Sequence, residues 1–192
     1  VVARKRKGDI SWAPITGSWN IEDDHVSYQG PTDDRYPHGF VLSPFRLRAG
    51  RLSIKVTLQD SKDGAARILF GYSSSKGKYL SLGLGGYNAA YVLSEYAEGR
   101  GWRGLRTLGS SSNLITNSPY ELVVELQGQR AILIVNNIVV MECDLPYPPE
   151  GNQVGLYAWG DHQVTFENYH VSSFLSQAFV VMQFSEPFVS FR

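Results

Sequence analysis

Between Pro119 and Ser173 the chain passes through four or five strands and their turns with almost nothing left over, and that stretch decides the fold class. Tyr120, Leu122, Val124 and Leu126 alternate with Glu121, Val123 and Glu125, the period of two that lays one face of a strand on a core. Gly128-Gln129 turns the chain into an apolar run from Ala131 to Val135. Asn136-Asn137 supplies two residues that tolerate positive φ in a tight hairpin, and Ile138 to Cys143 returns antiparallel. After the break at Pro146-Tyr147-Pro148-Pro149 come Val154 to Trp159 and Val164 to Val171.

The rest of the chain reads the same way. A hairpin runs from Gly17-Ser18-Trp19-Asn20-Ile21 through Glu22-Asp23-Asp24 to His25-Val26-Ser27-Tyr28, a loop covers Gly30 to His38, and Gly39 to Ser43 is a short strand. Leu52, Ile54, Val56 and Leu58 mark a half-buried strand with a polar outer face. Ala66 to Tyr72 and Tyr79 to Gly85 pair as the next two, with Leu80, Leu82 and Leu84 facing the core. That leaves Ser81, Gly83 and Gly85 on the other side, a face small enough for something to lie against it. Tyr91 to Tyr96 continues as a strand, and Glu98 to Ser112 reads as loop or irregular strand. No stretch holds a helical period over ten residues. The fold class is therefore all-β, a two-sheet antiparallel jelly-roll-like sandwich.

The order Asn117-Ser118-Pro119-Tyr120-Glu121-Leu122, a strand closing on Asn136-Asn137, then Gly155-Leu156-Tyr157-Ala158 and Phe166-Glu167-Asn168 resembles the closing half of concanavalin A-like lectin and glucanase sandwiches. It is similar in particular to the laminin-G-like branch and to bacterial 3-keto-disaccharide hydrolase domains. The resemblance spans Trp12 to Ser173 and identifies a fold better than an activity. It divides the chain into a basic tail at 1–9, the sandwich at 10–174 and an extension at 175–192. Within that extension the nearly continuous apolar run Ala178 to Phe184, followed by Ser185-Glu186-Pro187-Phe188, resembles the first strand of TIR-like or nucleoside deoxyribosyltransferase-like domains. That would make it the start of a truncated second domain. An extra edge strand, or one packed on a neighbouring chain, is the plainer reading.

Charge and cysteine content narrow the partners. Lys+Arg and Asp+Glu stand at 18 each, so no global field recruits nucleic acid or an anionic membrane. The Arg4-Lys5-Arg6-Lys7 run reads as a solvated terminus. One cysteine, Cys143, excludes a disulfide within the chain and reads as a buried thiol. With no signal-peptide core and no apolar span of ~20 residues, the expected location is cytoplasmic.

Candidate chemistry concentrates between Tyr87 and Arg106, the densest mix of aromatic and charged side chains. Sugars present C–H faces that stack on rings and hydroxyls that need fixed polar partners. The ligand-binding set read from the sequence is Ser81, Gly83, Tyr87, Tyr91, Glu95, Tyr96, Arg100, Trp102, Arg103 and Trp159, the last in the turn Trp159-Gly160-Asp161-His162. Each has a structural alternative: tyrosines cover a sheet edge, and Gly160 and Asp161 make a turn. Glycosidases need two carboxylates ~5–10 Å apart, whereas Glu121 and Glu125 stand ~13 Å apart on one strand face. Glu95 is the single catalytic candidate for an enzyme. Asp23-Asp24, Asp33-Asp34, Asp60 and Asp63 are loop aspartates that the laminin-G-like resemblance connects with calcium, although no cofactor is required and no ligand spacing is present.

The reading is a non-catalytic binding module for a carbohydrate or other small polar ligand, the sensing part of a longer protein. The alternatives are a saccharide-acting hydrolase or lyase, and an assembly module that pairs copies through Ala131 to Cys143 and the apolar C-terminal strand.

Overall fold

Leu52, Ile54, Val56 and Leu58 are all buried in strand β5 (Gly50–Leu58), while Arg51 just before them is exposed and Lys55 among them half-buried. Strict alternation of this kind gives a strand one wet face and one dry face. The computed structural model describes residues 10–22, 25–32, 38–60 and 64–174. The basic tail, Asp23-Asp24, Asp33-Asp34, Asp63 and the apolar run Ala178 to Phe184 lie outside the described residues.

Around β5 runs a seven-stranded sheet, here sheet B. Its order is β12 (Ile138–Asp144), β11 (Arg130–Val135), β10 (Pro119–Gln127), β5, β14 (Val164–Ser173), β3 (His25–Gly30) and β2 (Ser18–Glu22). Facing it is sheet A, also seven-stranded. Its order is β1 (Ala13–Thr16), β4 (His38–Arg46), β13 (Gln153–Trp159), β6 (Ala65–Ser73), β7 (Lys78–Gly85), β8 (Tyr91–Ala97) and β9 (Gly101–Leu108). Every pairing is antiparallel. The two-residue hairpin between β11 and β12 holds Asn136 and Asn137 at φ 49° and 66°, the paired positive values of a type I′ turn.

Side chains from both inner faces fill the space between the sheets. Val56, Leu122, Val124 and Phe166 of sheet B meet Ile68, Phe70, Leu82, Leu84 and Leu156 of sheet A in one buried cluster. Each large apolar side chain removed from water there stabilises the fold by ~1.5–3 kcal/mol. Cys143 belongs to this cluster, and burial pushes its thiol pKa up. No helix among the described residues is long and apolar enough to cross a membrane.

Two segments depart from the sequence reading. Residues 101–108, read as loop or irregular strand, form the regular edge strand β9, followed by a 3₁₀ turn at Ser111–Asn113. Most β9 side chains face solvent, so no apolar period marks the strand. β4 is longer than Gly39 to Ser43 because it pairs on both sides, with β1 and with β13.

Candidate functional site

The central strands of sheet A are dry on both faces. Residues 65–71 of β6 are buried without a break, and the outward positions Phe40, Leu42, Ala65, Leu69, Tyr79 and Tyr157 make a second apolar cluster of their own. Register builds this outer layer: Tyr157 pairs with both Phe40 and Arg67, Tyr79 with Tyr96, Tyr96 with Trp102, and Trp159 with His38. β8, β7 and β6 lie between β9 and β13, so a flat sheet would hold those strands ~19 Å apart. Yet the Trp102 and Tyr157 ring centroids are 4.8 Å apart, and those of Trp102 and His38 5.7 Å. The sheet therefore bends enough for rings from its edge strand to meet rings from β13 and β4 across the strands between. Register shifts in β6 opposite β7 and in β8 opposite β9 supply local bends for such a curl.

Rings pave the concave side. Tyr79 stacks on Tyr96 at 5.2 Å and 29°, and Trp102 meets Tyr79 edge-on at 5.4 Å. Above them opens a cavity of about 520 Å³, bounded by His38, Arg67, Tyr96, Trp102, Tyr157 and Trp159, by Gly86, Tyr87 and Gly99 from the turns at either end of β8, and by Gly101 at the start of β9. Its size lies within the ~300–1,000 Å³ of small-ligand sites, as does its mostly apolar wall with a few polar groups.

Arg67 is the unusual member. It projects from the otherwise apolar β6 and is 2 % exposed. Its Nη1 donates to Ser94 Oγ at 2.7 Å, and Nη2 donates to the Gly85 carbonyl oxygen. Ser94 in turn shares a 2.9 Å hydrogen bond with Ser81. The guanidinium lies 5.4 Å from the Tyr157 ring centroid and 5.8 Å from that of Tyr87, within cation–π range of both. Gly83 and Gly86 make room for it: a Cβ at Gly83 would come within 2.9 Å of Arg67 Cα, and one at Gly86 would overlap Nη2. Burial presses the guanidinium pKa below its usual value and pushes those of Tyr79 and Tyr157 up. His38 is pressed down for the same reason.

Tyr87 sits on a two-residue turn, with φ 54° for itself and 55° for Asn88, closed by Ala89 N–H donating to the Gly86 oxygen at 3.0 Å. Left-handed backbone is uncommon for a bulky ring and clusters at ligand clamps.

No protein-family model matches the sequence. A search of curated proteins also finds no match. Solved structures do match. The carbohydrate-binding module CBM66 from Bacillus subtilis superposes with a TM-score of 0.72 at 15% identity, over 85% of this chain and 96% of that one. The fold is the lectin-like, concanavalin A-like sandwich. The galectin LEC-6 of Caenorhabditis elegans shares it with a TM-score of 0.52 at 16% identity, over 76% of this chain and 95% of that one. So does a native glycosidic hydrolase, with a TM-score of 0.58 at 9% identity, over 82% and 87%.

The lectin-like sandwich sorts the sequence-derived site residues by face. Tyr87, Tyr96, Trp102 and Trp159 share the cavity. Ser81 and Gly83 lie beneath it, the first bonded to the serine that holds Arg67 and the second spacing that arginine. Arg100 is exposed in the turn between Gly99 and Gly101 and does not line the cavity. Tyr91 and Glu95 pair with Leu84 and Leu80 and point with them to the core side of the sheet. Arg103 pairs with Glu95 there, with an ion pair of 3.5 Å. Glu95, the catalytic candidate, thus stands behind the cavity and not in it. The sequence reading missed His38, Arg67 and Tyr157, which come from strands distant in the chain. A lone charge in an apolar strand was the available signal for Arg67.

Among the described residues no group of three or more His, Cys, Asp or Glu side chains could hold a metal ion. Asp60, one of the loop aspartates, instead pairs with His162 at 3.2 Å.

Proposed function

We propose that this chain is a carbohydrate-binding module whose ligand lies on the concave face of sheet A. The observation that carries the reading is the open cavity walled by Tyr87, Tyr96, Trp102, Tyr157 and Trp159 with one guanidinium at its floor. Rings take the C–H faces of a pyranose or furanose, and N–H and O–H groups between them fix its hydroxyls. Similarity of fold to a carbohydrate-binding module and a galectin supports the same reading. A hydrolase would need paired carboxylates, and none lines the cavity among the described residues.

A thermal-shift screen against mono- and oligosaccharides tests it. A ligand at 100 times its Kd adds ~2.7 kcal/mol, which for a domain of this size raises Tm by ~5–10 °C. The expected result is a sugar-dependent rise that Trp102→Ala abolishes. A panel with no rise at saturating sugar contradicts the reading.

A second reading, assembly, draws on Ile138 and Val139, 66 % and 58 % exposed at the tip of edge strand β12. An apolar edge of this kind is a docking liability. Light scattering separates the two: a strict monomer at high concentration removes the assembly reading.

A further inference from the structure

The hydrogen-bonding groups around the cavity are lopsided. Guanidinium and indole N–H groups donate and accept nothing, whereas a sugar hydroxyl both donates and accepts. The Tyr87, Tyr96 and Tyr157 hydroxyls and the His38 ring can serve a sugar hydroxyl either way, whereas carboxylate and amide oxygens are the stronger acceptors for it. The described lining carries none. What it carries is Arg67, with one donor on Ser94 and one on the Gly85 oxygen, and a buried Nε–H that has no partner. Trp102 and Trp159 make no hydrogen bond through their indole N–H groups within the described residues. Nor does any carboxylate among the described residues form an ion pair with Arg67. A buried cation is ordinarily matched by an opposite charge. Here two tyrosine rings flank it in place of one.

We infer that the cavity takes an acidic saccharide, with an anionic oxygen group held against the Arg67 guanidinium and sugar rings stacked on Trp102 and Trp159. A carboxylate or sulfate ester accepts only, and so complements the Arg67 guanidinium and the indole N–H groups. Its planar or tetrahedral oxygens suit the fork of a guanidinium, which gives charge-assisted bonds roughly twice as strong as neutral ones. The approach is past Tyr87, which is 48 % exposed, held at positive φ, and covers the guanidinium at 5.8 Å. The inference rests on the saccharide-binding reading and narrows its ligand.

The test is calorimetric titration of the full chain with matched pairs. Oligouronides are compared with the neutral oligosaccharides made from them by carboxyl reduction, and sulfated oligosaccharides with their desulfated parents. Acetate and inorganic sulfate serve as anions without a sugar. The expected result is an acidic member binding at least tenfold tighter than its neutral partner, with the arm that responds identifying carboxylate or sulfate. In Arg67→Met that preference disappears. Should that variant fail to fold, the matched pairs on the unaltered chain still decide. Neutral members binding as tightly as acidic ones overturn the inference and leave the saccharide reading standing. Free anions binding as tightly as acidic sugars also overturn it. Binding by no saccharide at millimolar concentration overturns both. An acidic preference that persists in folded Arg67→Met removes Arg67 from the assignment.

Discussion

The two sheets of this sandwich are built from the same number of strands and differ in what they do with their outer faces. Sheet B turns cross-strand charges to water: Arg51 pairs with Glu125 at 3.3 Å, Lys55 with Glu167 at 3.4 Å, and Arg130 with Glu142. Its β5 alternates buried and more exposed residues along its length. Sheet A covers its outer face with rings, and β6 and β7 are buried almost throughout. Antiparallel sheets commonly keep one face solvated. Sheet A departs from that because it curls, so that its own concave side encloses a second apolar layer. A charged outer face of this kind is a wall, whereas a concave aromatic face with a gap in it is a candidate site.

Truncation separates the outer faces most strongly. Tyr79→Ala removes a buried ring packed on Phe40, Tyr96 and Trp102, and an aromatic-to-alanine change of this kind costs ~3–5 kcal/mol. Ile134→Ala on the outer face of sheet B, where the side chain is half-buried, should cost about 1 kcal/mol. Chemical denaturation reads both; equal losses would dissolve the contrast. Gly83→Ala comes next, since its Cβ would lie 2.7 Å from the Ala66 carbonyl oxygen and 2.9 Å from Arg67 Cα. Overpacking there should destabilise by ~1–3 kcal/mol and weaken ligand binding with it.

Glu95→Gln sharpens the comparison from behind. Its ion pair is with an arginine whose side chain is 62 % exposed, so stability should fall by about 1 kcal/mol or less, and affinity in a saccharide titration should stay within twofold. A large loss of affinity would return Glu95 to the site. The smallest effect is that of pH. Burial holds the His38 pKa below its ordinary value of about 6.5, so the unfolded chain takes up its proton first as pH falls. Stability from this group is complete above about pH 6.5 and declines below it, toward the folded pKa. His38→Gln should flatten that part of a Tm-against-pH curve, and an unchanged curve would show that His38 titrates normally.

The strands that alternate were legible residue by residue. β10 to β14 and β5 to β8 stand where period two and the turn residues put them, down to the positive φ of Asn136 and Asn137. β9 was not legible, because an edge strand exposed on most of its length, with glycines at 101 and 104, carries no apolar period. The site was half legible for a related reason. A window rich in aromatic and charged residues is not a face: along β8, Val92, Ser94 and Tyr96 point to the concave side and Tyr91, Leu93 and Glu95 to the core. Applying the alternation of β8 to the candidates would have separated Tyr96 from Tyr91 and Glu95. His38, Arg67 and Tyr157 needed the strand order, since β4, β6 and β13 become neighbours only through long connections.

Whether ligand binds the concave face of sheet A is something the four tryptophans report on directly. Trp102 and Trp159 line the cavity, Trp12 is buried in the core, and Trp19 donates its indole N–H to the Thr16 oxygen at 2.7 Å. Indole N–H resonances in a two-dimensional NMR spectrum, assigned by single Trp→Phe changes, should be followed during titration with a saccharide that binds. With ligand on that face, the Trp102 and Trp159 signals shift in step with saturation while those of Trp12 and Trp19 stay in place. Saturation without movement of either cavity tryptophan would place the ligand elsewhere and contradict the proposed site.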